Sequence, residues 1–283
     1  MPTPRKNESE DDFIGRCIPF VINDGTAKDE KQAYAYCKSL WDTEKKDRFI
    51  LELEHDFLLP IRRQNEPIWY WDELAKRYRN KGTFLSRADA LELALESILQ
   101  SQNSIATIAN LWSGGIIDST VWNLSFKQVI KDEYIRQYLA GIGGRGRMTQ
   151  ADWGRIGNML KNQYGFVDNF TDQLATMSDA QIEFRMRLYI NSAHQANERA
   201  HAILARQWGA DMVDWEKDPA AENCDTCTRR DAEPPQSIGE KGGYYDTVLG
   251  IETFPGAGDS ECLVSCRCHL KFINSITGES YEG

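Results

Sequence analysis

No apolar stretch of this 283-residue sequence approaches the length of a bilayer span, so it reads as a soluble protein with no membrane partner. Its start, Met1-Pro-Thr-Pro-Arg-Lys-Asn-Glu, lacks the apolar core of a secretory signal, which favours reduced thiols during folding. Basic residues are in deficit. The 33 Lys and Arg face 43 Asp and Glu, and the net charge of −10 argues against a dedicated nucleic-acid coat while leaving room for local patches. No Ser-His-Asp or Cys-His constellation is apparent. Gly141-Ile-Gly-Gly-Arg-Gly-Arg-Met lacks the Gly-Lys-Ser/Thr of a phosphate loop, and no strand is predicted before it, which argues against a nucleotide site. What is present is aromatic packing material, with eight tryptophans, and enough chain to bury a core in one elongated or two to three small domains.

Chemistry concentrates in residues 224–269. Cys224-Asp225-Thr226-Cys227 opens the stretch, and Cys262, Cys266, Cys268 and His269 close it. Between them lie Pro234-Pro235, Gly239, Gly242-Gly243, Gly250, Pro255, Gly256 and Gly258, a loop that propensity alone does not fold. A metal or a disulfide must hold its ends. Thiolates at this spacing suit a closed, structural zinc site, with disulfides or simple buried thiols as the alternatives. Cys266-Arg-Cys-His-Leu-Lys-Phe-Ile273 alternates as a strand, with Cys266, Cys268, Leu270 and Phe272 on one face. His269 would then point away, leaving Cys224, Cys227, Cys262, Cys266 and Cys268 to compete for four ligand places.

The rest of the chain reads as mainly helical. Residues 1–10 form a polar, disordered tail. Residues 11–45 form a small helical hairpin, despite Pro19, with Cys17 and Cys37 as two buried thiols; a second metal or redox pair is the sharper alternative. Glu44-Lys45-Lys46-Asp47 reads as a charged linker, Pro60 and Pro67 as breaks, and Ile68-Trp-Tyr-Trp-Asp as core packing or a docking anchor. A helical body is expected over 46–210, with capped starts at Ser86, Thr149 and Ser178. The apolar seams Leu91, Leu95, Ile98 and Ile182, Met186, Tyr189, Ala193, Ala196, Ala200 predict long helices packed lengthwise, the second running unbroken to Gly209. His194, Glu198 and His201 share one helical face, but a di-iron centre needs a second Glu-x-x-His that the sequence does not have. Basic residues prevail over 127–161, which reads as a solvated face. Arg145 and Arg147, on or beside a glycine-rich loop, are the candidates for contact with DNA or an acidic partner. Residues 211–283 are expected to form a separate metal-stapled module with its own core. The fold class is thus α+β, a mainly helical body with a small Cys-rich end.

Glu183-Phe-Arg-Met-Arg, Asn197-Glu-Arg-Ala, Gly209, a strand ending at Trp215, Cys224-x-x-Cys227 and Cys266-Arg-Cys268-His-Leu occur in an order that resembles the Mu F-like head-morphogenesis family, minor head proteins of tailed phages. The resemblance covers about residues 115–273. In that family His-Pro-x often precedes the Cys-Arg-Cys; here Leu263-Val264-Ser265 stands instead, and Cys262 is the nearest substitute for the histidine. Residues 12–41 likewise resemble a short Cys-containing module found in assorted tailed-phage proteins. The resemblance implies a virion protein of the head or neck, made in the host cytoplasm, that associates with portal or major capsid protein and contacts packaged DNA. It implies a structural role. The alternatives are a zinc-containing enzyme, ADP-ribosyltransferase- or nuclease-like, and a DNA-binding zinc module.

Overall fold

The computed structural model describes residues 3–5, 8–53, 69–72, 77–80 and 83–281, and the chain falls into two compact units, Met1–Arg63 and Gln64–Gly283. The breaks expected at Pro60 and Pro67, and the Ile68 end of the aromatic run, lie outside the described residues.

The first unit is the expected hairpin. Helix α1 (Glu10–Asn23) starts where the Ser9 hydroxyl accepts from the Asp12 N–H, and three acids in its first turn face the positive end of the helix dipole. It runs through Pro19. Helix α2 (Glu30–Leu53) continues past residues 44–47, so the charged run is helix and not linker. Phe13, Ile14, Val21 and Ala33 bury around Cys17 and Cys37. Those two cysteines form a disulfide, where sequence reading favoured separate buried thiols. The tail called disordered is partly engaged, since Arg16 pairs with Glu8 and donates to the Thr3 carbonyl.

The second unit opens with an antiparallel meander, β1 (Trp69–Asp72), β2 (Arg77–Asn80) and β3 (Thr83–Leu85). Five helices follow: α3 (Arg87–Ser113), α4 (Ser119–Ile142), α5 (Gln150–Thr171), α6 (Asp179–Asn191) and α7 (His194–Gln207). Helices α3, α5 and α6 start with reciprocal capping boxes, Ser86 with Asp89, Thr149 with Asp152 and Ser178 with Gln181. Helix α4 is the centre. It packs against α3, α5 and α7, and buries Trp122, Phe126, Ile130, Tyr134 and Tyr138.

Three expectations about this body are corrected. The basic excess over 127–161 is not one solvated face. Arg136 is buried against Glu133, whose carboxylate also accepts from Ser97, Ser101 and Gln137, and Asp152 is buried under Tyr138. The helix from Ser178 is not continuous. At Ser192 the hydroxyl turns back to the Tyr189 carbonyl (2.7 Å) and meets the Tyr134 hydroxyl (2.8 Å), and the backbone tightens before α7 begins. The glycine-rich stretch is not a loose loop either. Gly141 and Ile142 belong to α4, and Gly143 takes a left-handed φ of 85° that lets the Gly144 N–H reach the Leu139 carbonyl.

After Gly209 the chain builds an antiparallel sheet in the order β5 (Gln236–Ser237), β4 (Met212–Glu216), β8 (His269–Ile273). Helix α8 (Asp225–Ala232) and the hairpin β6 (Tyr244–Asp246)–β7 (Ile251–Thr253) lie between β4 and β8 in sequence. The sheet does not have a core of its own. Val213, Trp215, Tyr244, Leu270 and Phe272 pack in one cluster with Ala202 and Ala205 of α7. The boundary expected between 210 and 211 therefore separates no compact unit, because the sheet's apolar face has α7 to bury against. Overall the fold is α+β and mainly helical, with the Cys cluster at its C-terminal end.

Candidate metal centre

Three short segments bring the five cysteines together. Cys224 caps α8, its sulfur accepting from the Cys227 N–H at 3.5 Å, so this pair sits at the helix end that favours negative charge. The α8 start is tied to the second segment by the Glu261 carboxylate, which accepts from the Thr226 N–H at 2.9 Å. Cys262 and Cys266 bracket a 3₁₀ turn, Leu263–Ser265, in which Leu263 has a positive φ of 51°. Cys268 then leads into β8.

Sulfur–sulfur separations are 3.5 Å for Cys224–Cys262, 3.8 Å for Cys227–Cys262 and 3.6 Å for Cys227–Cys266. A tetrahedral ion with metal–sulfur bonds of about 2.3 Å sets its ligand sulfurs about 3.8 Å apart. These three separations are of the size that a tetrahedral thiolate shell requires. Two convergent triads are formed, Cys224–Cys227–Cys262 and Cys227–Cys266–Cys268, and Cys227, wholly buried, belongs to both. The cluster of five could hold a metal ion.

The thiols also polarise one another. Donation from Cys266, together with the Ser260 hydroxyl 3.2 Å away, pulls Cys262 down to about 6, against the opposing effect of burial. Cys268 is lowered to about 4 by Cys227 and Cys266. Burial pushes Cys224 up to about 11. Cys227 and Cys266 are pushed up as well, by their sulfur neighbours and by burial, so a cation entering the cluster would have to displace protons.

His269 points away, as alternation along the strand implied. Its Nε2 lies 3.0 Å from Glu216, the residue directly across on β4. His194, Glu198 and His201 are all buried and serve β8 instead. The Leu270 N–H donates to Glu198 at 2.9 Å, His194 Nε2 donates to the Cys268 carbonyl at 2.9 Å, and the His201 ring meets Phe272 edge-on. Arg145 and Arg147 are not part of the centre. Arg145 is exposed, whereas Arg147 lies over the Trp208 ring at 5.2 Å and donates to Gln207 at 3.0 Å. Arg147 is thus packed within the fold, although it follows a glycine-rich stretch. Arg145→Glu should change stability by no more than about 0.5 kcal/mol. Arg147→Glu should cost about 1 kcal/mol through loss of the ring contact. Urea melts of the two single variants separate them.

Sequence reading missed the supports around the cluster. Asn223 places its Oδ1 3.8 Å from Cys268, and its adjacency to Cys224 was the available signal. Arg230, wholly buried, stacks over Trp215 at 4.6 Å and donates to Asp246 at 2.7 Å. Asp246 also accepts from Arg229 and from the N–H groups of Val248 and Leu249. Burial alone would raise its carboxyl, yet the Leu249 N–H and the two guanidiniums outweigh that and lower it to about 2, from an ordinary 3.8. A lowered carboxylate gives stability that is complete above its unfolded value and is lost as pH falls through the folded one. Asp246 should therefore contribute fully above about pH 4 and lose its contribution by about pH 2. Asp246→Asn keeps one acceptor oxygen but leaves buried Arg230 with only the longer contact to Asp259, at 3.4 Å, as its anion, and should cost about 2–3 kcal/mol at neutral pH. That difference should narrow in acid melts of variant and parent.

The chain matches no family model, no curated protein and no solved structure.

Proposed function

We propose that the chain is a structural adaptor, a tailed-phage minor head protein that docks on portal or major capsid protein during head morphogenesis, and that its Cys cluster holds one structural zinc. The observation that carries this reading is the position of the cluster. Its cysteines share one buried core with Trp215, Leu270, Phe272 and α7, so an ion there would fasten a loop-rich end to a rigid helical body. Thiolate is the donor that zinc favours, and an ion that took four of these five thiols would have no open position for a catalytic water. That supports a fastening role over a hydrolytic one. The order of motifs from Glu183 to Leu270 supports the choice of family. Contact with packaged DNA would involve Arg145, which is exposed just beyond the end of α4, and Arg147 beside it.

Two measurements test the proposal. Elemental analysis of protein purified in reductant without chelator should find about one zinc per chain, as a four-thiolate site requires. Co-sedimentation with portal assembled from the same virion should recover the protein, and should continue to do so with Arg145→Glu if DNA is that residue's only partner. Absence of zinc together with disulfides within 224–268 would remove the first half of the proposal. Failure to bind portal and capsid protein alike would remove the second.

A further inference from the structure

A groove of about 360 Å³ runs along the second unit where α5, α6 and the Cys262–Cys266 turn meet. Its walls are mainly apolar, formed by Phe166, Leu188, Tyr189, Leu263 and Val264, with Gln163, Ser192 and Gln195 among them. Phe166 is 57% exposed and Leu263 50% exposed, so two large apolar side chains stand open to water at its lips. One charged side chain lines it, Arg185.

Two features show that the groove is held in shape. Leu263 is the only non-glycine residue with positive φ among the described residues, a conformation L-residues adopt at a cost. Its turn is fixed at both ends by Cys262 and Cys266, and Asn191 at the end of α6 donates to Ser265 at 3.0 Å. The cluster thus sets the lip that Leu263 and Val264 form. On the other wall, Arg185 lies 4.4 Å over the Phe170 ring and donates to Gln173 at 2.7 Å. Among the described residues no carboxylate pairs with it, whereas Arg187, two residues on, is paired with Glu183. A fixed cation beside an apolar groove is complementary to one kind of occupant. The chain's overall negative charge acts at long range and is screened beyond about 8 Å in physiological salt, so Arg185 decides the local preference.

We infer that this groove takes a short apolar and acidic segment of a partner protein, its apolar side chains between Phe166 and Leu263 and a carboxylate on Arg185. The inference rests on the adaptor reading and names the chemistry of the partner at this surface.

The test uses the 283-residue chain, analysed for zinc, and two arrays of short fluorescein-labelled peptides. In one, leucine and aspartate are permuted; in the other, every aspartate is replaced by lysine. Members of the acidic array should bind saturably, and their lysine counterparts should bind at least about tenfold more weakly. Arg185→Glu should invert that preference. Leu263→Ser should weaken binding by about tenfold, with circular dichroism and zinc content unchanged. The inference is overturned if neither array binds, if both bind alike, or if Arg185→Glu leaves the preference as it was. It is also overturned if sedimentation shows self-association that both Arg185→Glu and Leu249→Asp abolish. The groove would then hold a second copy of the chain, through the exposed Val248 and Leu249 at its β6–β7 tip. Zinc content, read on the same samples, keeps failure of the metal proposal distinct from failure of this one.

Discussion

Cys227→Ser should abolish metal binding at the cluster and unfold more of the molecule than the Cys-rich end. Cys227 is wholly buried and belongs to both convergent triads, so no set of four that omits it keeps either triad whole. A serine oxygen is a poor ligand for a site of this kind, and structural zinc contributes on the order of 10 kcal/mol of folding free energy to small thiolate sites. If residues 211–273 had a core of their own, the damage would stop at Gly209. They do not: Ala202 and Ala205 sit in the same cluster as Trp215, Leu270 and Cys227. Losing β8 would also strand buried polar groups of α7. Glu198 would lose the Leu270 N–H, and His194 the Cys268 carbonyl. Hydrogen exchange should therefore show loss of protection over 194–207 as well as over 212–273. Protection of α1, in the other compact unit, should persist. Chelation of the parent protein in reductant should reproduce the pattern. Unchanged protection of α7 in the variant would mean that the shared core is not a thermodynamic unit.

How much of this could be read beforehand depended on whether the deciding contact was local. The capping boxes at Ser86, Thr149 and Ser178 were legible because both partners lie three residues apart. So was the outward turn of His269, since strand alternation fixes it, and the clustering of the cysteines, since no other feature closes the loop between them. The break at Ser192 was not legible. The apolar seam passes through it unbroken, and the hydroxyl that tightens it is met by Tyr134, far away on α4. Arg136 counted as part of a basic face because its partners Ser97 and Ser101 come from another helix, although Glu133 one turn before it was a signal in hand. The boundary at 210 followed from a change of periodicity, which reports where helix gives way to strand and says nothing about which element covers the strand. The packing of Arg147 was not legible for the same reason, since Trp208 reaches it only through the fold.

The crossing of α4 and α7 shows how strict such a contact can be. A Cβ on Gly141 would lie 2.1 Å from the Asn197 carbonyl oxygen and 2.9 Å from the Ala200 Cβ, both well inside contact distance. The obstacle is backbone, so no rotamer change relieves it. Gly141→Ala would force the two helices apart along Ala196 and Ala200, and would draw the Gly141 carbonyl from the Tyr78 hydroxyl 3.2 Å away. Helix propensity favours the alanine by about 1 kcal/mol, so the sign is set by the clash. We expect a net loss of about 4–5 kcal/mol, at the far end of what single substitutions do. Gly154 and Gly157 supply the control. They sit on the exposed side of α5 with open space where a Cβ would go, and alanine at either should raise stability by about 0.5–1 kcal/mol. Urea melts of the three variants must therefore move in opposite directions. If Gly141→Ala melts with the parent, the crossing is looser than the structure shows and α4 is not the clamp on α7. If it fails while the other two gain, the same α7 that carries the β8 contacts is held in place by a single missing side chain.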